Sequence, residues 1–172
     1  MSSCSQIRPL SDHMLAHQQL LELFEQHQCA LISLEIERAC ELLADFTRHL
    51  RMHRDGEEEF VLPVYGALDL KLEGGPVEFF QSEHEKLGWW LGEMRGEVNE
   101  LLEEGRGRGL EPRDVLPLLD RQATFKHLLD HHDKREANIL YPAMDRELNA
   151  KQVGAIWLQL DGHEAAVRAS WS

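Results

Sequence analysis

His53-x-x-x-Glu57 and His132-x-x-x-Glu136 each set an imidazole and a carboxylate four residues apart, one turn above the other on a single helix face. The two segments continue alike. Phe60 matches Ile139, Val61 matches Leu140, and Pro63 and Pro142 each follow their histidine by ten residues. One such pair is ordinarily a solvated ion pair. Two copies 79 residues apart, with the same apolar tail and the same proline, form an internal repeat whose period is too long for a solenoid unit. The chemistry that repeated His/Glu pairs offer is metal ligation, with each copy giving half of one site.

Each motif helix is preceded by a helical stretch carrying a histidine on its apolar face, His17 before the first and His84 before the second. His13 lies one turn before His17 and could take its place. Four imidazoles and two carboxylates buried together would be costly unless something binds them. Nitrogen and oxygen donors without thiolate suit iron, manganese or zinc and disfavour copper(I). The expected division puts His17 and His53 near one metal and His84 and His132 near the other. Glu57 and Glu136 would bridge, leaving open positions for water, O2 or NO. Two related sites are absent. No glutamate has a histidine three residues later, as ferritin-type di-iron bundles require, and there is no His-Glu-x-x-His.

The elements that must hold these residues read as helices. Leu15, Leu20, Leu21, Leu23 and Phe24 give a first helix over about 11–28, with Ser11 or Asp12 placed to cap it. A second, from near Ser33, carries Leu34, Ala39, Leu42, Leu43, Phe46 and Leu50 into the first motif, where Pro63 is expected to kink or stop it. Pro76 opens a third, running through Phe79, Phe80, Leu87, Trp90, Leu91, Met94, Val98, Leu101 and Leu102, which is expected to give way to a loop at Gly105–Gly109. The fourth begins near Pro112 or Asp114 and runs through Leu118, Leu119, Phe125, Leu128 and Leu129 into the second motif. Strand and hairpin signals are absent. The expectation is a single all-α domain over 1–172: an antiparallel up-down four-helix bundle over about 11–148, with a short extra C-terminal helix over about 149–165.

Composition excludes several classes. With 42% hydrophobic and 28% charged residues the chain is of ordinary globular type, and a formal net charge of −13 argues against nucleic-acid or anionic-membrane partners. Cys4, Cys29 and Cys40 make neither a disulfide framework nor a thiolate zinc site. The first residues lack a basic-then-apolar signal pattern, and no apolar run approaches the length of about 18 residues that a membrane helix needs, so the expected location is cytoplasmic.

The chain resembles the hemerythrin-like (HHE cation-binding) domain family. The doubled His-x-x-x-Glu motif with its prolines carries most of the likeness. The segment around His17-Gln-Gln-Leu resembles the family's first helix, and Glu83-His84-Glu85 its third. The resemblance implies an antiparallel four-helix bundle holding two non-haem iron ions that bind O2 or a related ligand, with His17, His53, Glu57, His84, His132 and Glu136 as ligands. There is one departure. Oxygen-carrying hemerythrins have a second third-helix histidine one turn from the first, whereas the positions four residues either side of His84 are Phe80 and Gly88.

The expected function is therefore a non-haem di-iron protein binding O2, NO or a related small ligand as sensor, store or iron-repair factor. A di-iron oxidase or peroxidase, or a helical scaffold holding zinc, are the alternatives. Among the remaining residues, His27 and His163 are expected at the surface, His49 and Glu58 outside the ligand set, and Trp89 and Trp90 in packing. Tyr141 is expected to pack at a helix end, with a redox role as the alternative, and Gly56 to leave space for ligand access.

Overall fold

The computed structural model describes residues 8–171; Cys4 lies outside them. No strand occurs among the described residues. A 3-10 turn, Leu10–Met14, leads into α1 (Leu15–Ile32). Helix α2 comprises Ile36–Gly56, a π-helical turn Glu57–Val61 and the segment Leu62–Ala67. Helix α3 is Val77–Arg108. Helix α4 repeats the construction of α2, with Pro112–Arg135, a π-helical turn Glu136–Leu140 and Tyr141–Glu147. Helix α5 is Ala150–Ala169.

Consecutive helices joined by short connections run antiparallel. Helix α1 packs on α2 and α4, and α3 packs on the same two, so the motif helices α2 and α4 face each other across the bundle diagonal. Helix α5 lies against α2. It starts where expected, capped by Asn149 in a full capping box with Gln152, buries Val153, Ile156, Trp157 and Leu160, and runs on to Ala169, four residues beyond the expected end.

The prolines do not stop the helices. Pro63 and Pro142 lack an N–H, and in an α-helix their rings would clash with the carbonyls of Glu59 and Asn138 four residues back. The wider π-helical turn just before each proline absorbs that conflict, and the helix continues beyond it. Three other ends also differ from expectation. Neither Ser11 nor Asp12 caps the start of the chain's first helical turn; instead the Asp145 carboxylate accepts from the Leu10 and Ser11 N–H groups at 2.6 and 3.2 Å. Helix α2 begins at Ile36, after a turn with Leu34 at φ +59°. Helix α3 absorbs the glycine–arginine stretch up to Arg108 and ends where Gly109 turns to φ +71°.

Two apolar cores sit at opposite ends of the bundle. One holds Phe24, Phe46 and Phe125, whose ring centroids lie 5.0 to 5.9 Å apart, with Leu20, Leu50, Leu87 and Leu129 at its inner edge. The other joins Leu10, Val61, Phe80, Leu140 and Tyr141 to the stripe of α5. The layer between them is polar. His17, His53, His84 and His132 lie one helical turn from Leu20, Leu50, Leu87 and Leu129 respectively, and Val61 and Leu140 lie one turn beyond Glu57 and Glu136.

Candidate metal centre

Each helix of the bundle sends one imidazole into this layer, and the two motif helices add a carboxylate each. His53 Nε2 is 3.1 Å from Glu57 Oε1, and His132 Nε2 is 3.0 Å from Glu136 Oε1. Across the bundle His17 Nε2 lies 2.7 Å from His53 Nε2 and 3.4 Å from Glu136 Oε2. His84 Nε2 lies 3.4 Å from Glu57 Oε2 and 3.8 Å from Glu136 Oε1. The donors fall into two groups, His17 with His53 and His84 with His132. Both groups contain Glu57 and Glu136, and within each the donor atoms lie within 4.8 Å of one another. Both carboxylates are fully buried.

Outer partners aim three of the four rings. The Glu58 carboxylate accepts from His84 Nδ1 at 2.7 Å. Glu83 accepts from His132 Nδ1 at 3.3 Å and is itself held by Arg135 Nε at 3.0 Å. Asp133 Oδ1 stands 3.0 Å from His17 Nδ1. A carboxylate behind an imidazole fixes its orientation and strengthens the opposite nitrogen as a donor. Glu83 was not distinguished in the sequence, although it adjoins His84, because its partner His132 lies on another helix.

His13 behaves differently from His17. Its ring stacks on His53 at a centroid distance of 4.2 Å and an angle of 17°, and its Nε2 is 4.0 Å from Glu57 Oε1. A cation in the plane of one stacked ring would lie out of the plane of the other, and His13 falls in neither of the two donor groups. Tyr141 is the residue the periodicity missed. Five residues after Glu136, a regular α-helix would set it about 140° around the axis. The intervening π-helical turn swings it back onto the site face, where its hydroxyl donates to Glu57 Oε1. Gly56 lets α5 approach α2, since a Cβ there would lie 3.1 Å from Leu160 Cδ2, and it also lines the cavity that reaches His13 and His53. His27 is not at the surface. It is fully buried, donating from Nδ1 to the Ala39 carbonyl at 2.8 Å and accepting at Nε2 from Gln122 at 2.9 Å. His163 is half-buried, with Nε2 donating to the Met52 carbonyl.

Burial works to raise the Glu57 carboxyl, yet the imidazoles of His53, His84 and His13 hold it well below the usual carboxylate range. Glu136, raised by burial and by Glu57, is brought down by His132 and His84. The histidines respond in turn. Burial opposes their charge, but Glu136 and Glu57 lift His84 to about 9, while Glu136 and Glu83 lift His132 well above its ordinary value. His17 is raised by Asp133 and Glu136 against its burial. His13, buried and beside His53, is pushed down to about 3. Burial and the Glu57 charge raise the Tyr141 hydroxyl well above its ordinary value, which keeps it a donor. Without a metal, protons on His84 and His132 balance the two carboxylates, and bound cations would displace them.

Eight buried side-chain nitrogen and oxygen atoms among the described residues make no well-oriented hydrogen bond, although several face one another at 3.0 Å or more, and all of them belong to this layer or its edge. They include His84 Nε2, Glu57 Oε2 and both oxygens of Glu136. Such atoms are costly in a core unless they meet a cation. The donor set fits one. Two imidazole nitrogens 2.7 Å apart suit neighbouring positions on an ion about 2.1 Å from each.

A family model described as the hemerythrin HHE cation-binding domain matches residues 9–144. The chain belongs to the hemerythrin HHE cation-binding domain family. No curated protein and no solved structure matches it. Domains of this family bind metal cations, and every histidine and glutamate of the two donor groups lies inside the matched region. Helix α5 lies beyond the matched region, and its Trp157 and Leu160 pack beside His13 and Gly56. No helix of the described residues is long and apolar enough to cross a membrane.

Proposed function

We propose that this hemerythrin-like chain, a single domain, is a non-haem di-iron protein that takes O2, NO or a related small ligand, as a sensor, store or iron-repair factor. The observation that carries this reading is the sharing of Glu57 and Glu136 between both donor groups. Two carboxylates common to two groups of imidazoles are natural bridges, which hold two cations close and reduce their repulsion. His17 and His53 would hold one ion, His84 and His132 the other. Nitrogen and oxygen donors without thiolate favour iron, with manganese or zinc as competitors. Bound iron would supply open coordination positions and one-electron chemistry. The chain's own residues then do the rest. Glu58, Glu83 and Asp133 orient the imidazoles, Tyr141 holds Glu57, and the two apolar cores keep bulk water from both sides.

Metal analysis of the purified chain tests the reading. About two irons per chain are expected, falling towards none in Glu57→Ala and Glu136→Ala because each bridge serves both ions. One zinc per chain, retained in both variants, would overturn it.

A second reading has one observation in its favour. A cavity of about 210 Å³ between α1, α2 and α5 reaches His13 and His53, room for a small organic reductant. Sustained consumption of O2 with such a reductant would make the protein an oxidase or peroxidase; binding without turnover would leave the first reading.

A further inference from the structure

Four residues after His84, one turn further along α3, stands Gly88. The space beside it is taken by Arg54, the residue that follows His53. A Cβ on Gly88 would lie 3.1 Å from Arg54 Nη1. Asp55 Oδ1 holds the other two guanidinium nitrogens, Nε at 3.0 Å and Nη2 at 2.6 Å. Nη1, turned towards Gly88, remains for another partner. Arg54 and Gly88 line one small cavity together with His17, His53, His84 and His132. Its volume is about 10 Å³, room for about one water. The Arg54 side chain is 27% exposed, so its charge sits at the cavity mouth, partly out of solvent.

We infer that Arg54 is the specificity-determining residue of the small-ligand site and tunes it towards small monoanions. The inference rests on the metal-site reading above and narrows its ligand class. The guanidinium stays charged at any working pH and presents its donors in a fixed fork. Hydrogen bonds from a charged donor are about twice as strong as neutral ones, and their advantage grows where water is scarce. Neutral diatomic ligands gain little from such a donor, whereas a linear or bent monoanion gains both charge and hydrogen bond. The pairing with Asp55 costs Arg54 little of this capacity, since Asp55 is half exposed and its charge well solvated. Two carboxylates line the cavity: Glu57, which the metal-site reading makes a ligand, and Asp133, which faces His17 Nδ1 at 3.0 Å. Gly88 is the permissive partner, because any side chain there would push the guanidinium outward.

Arg51 lines the same mouth but is exposed, and it serves as the control for a long-range charge effect. The experiment uses the full iron-loaded chain, with iron content measured on every variant before azide is titrated calorimetrically. Arg54→Gln should weaken azide by about tenfold or more, Arg54→Lys by less, and Gly88→Ala should also weaken it. Arg51→Gln should stay within about twofold of the parent, as should nitric oxide binding to the reduced form of Arg54→Gln. Unchanged azide affinity in Arg54→Gln at full iron content would overturn the inference and leave the metal reading intact. Equal losses in Arg51→Gln and Arg54→Gln would overturn it in favour of a diffuse field. Loss of iron in Arg54→Gln would make the residue structural, and absence of iron in the parent chain would remove both proposals.

Discussion

Tyr141, carried by the second repeat, donates its hydroxyl hydrogen to the Glu57 carboxylate of the first. The position equivalent to Tyr141 in the first repeat is Leu62, so the doubled motif is symmetric in its histidines and glutamates and asymmetric in this contact. Both groups are essentially inaccessible to solvent. Tyr141→Phe keeps the ring and removes one of the two polar partners of that buried oxygen, His53 Nε2 remaining at 3.1 Å. A loss of about 1–3 kcal/mol is expected for the metal-free protein, measured by urea unfolding. A loss indistinguishable from zero would mean that water replaces the hydroxyl.

Glu58 and Glu83 touch His84 and His132 from behind and belong to neither donor group. Glu58→Ala and Glu83→Ala should each weaken metal binding by about 10–100-fold without changing the final metal count, since orientation rather than a donor is lost. Competition with a chelator of known affinity gives the measurement. A reduced metal count at saturation would instead place the missing carboxylate among the ligands.

Metal uptake should release protons. His84 is lifted to about 9, so near neutral pH its Nε2 carries a proton in the metal-free protein that a cation must displace. Affinity should rise with pH up to that value, by up to about tenfold per unit for each proton displaced. Calorimetry in two buffers of different ionisation enthalpy reads the released protons directly. Equal apparent enthalpies in the two buffers would contradict the expectation.

His27 sets a second, independent pH dependence. Burial pushes it below its ordinary value of 6.5, against the pull of the Ala39 carbonyl. The folded protein therefore keeps His27 neutral while the unfolded chain binds a proton. Its stabilising contribution is complete above 6.5 and is lost progressively as pH falls below that value. The slope reaches at most about 1.4 kcal/mol per pH unit for this one group. His27→Gln should flatten the pH dependence of the unfolding free energy below 6.5. An unchanged slope would show that other groups account for it.

Two glycines in helices should respond oppositely to alanine. Nothing lies within 4 Å of a Cβ built on Gly92, so Gly92→Ala should gain about 0.5–1 kcal/mol from helix propensity. At Gly56 the same gain meets Leu160 at 3.1 Å and His163 at 3.4 Å. Overpacking of about 1–3 kcal/mol should outweigh it and loosen α5. Thermal unfolding of the two variants gives the signs; a stabilised Gly56→Ala would show that α5 yields at little cost.

The helices, their order and the histidine and glutamate positions of the polar layer are legible along the chain. Those features are local. Helical periodicity reveals an apolar stripe, and four-residue spacing puts His53 with Glu57 and His132 with Glu136 on one face whatever lies opposite. What only the tertiary structure decided are pairings between helices and departures from the α period. Glu83 behind His132, Asp133 beside His17 and the burial of His27 against Gln122 all join residues far apart in the chain, and no spacing encodes them. The two π-helical turns are the sharper case. A proline announces a conflict at a known position but not how it is resolved; here one wider turn lets the helix continue and rotates Tyr141 onto Glu57. Phase along a helix can be read from sequence only while the helix keeps its pitch.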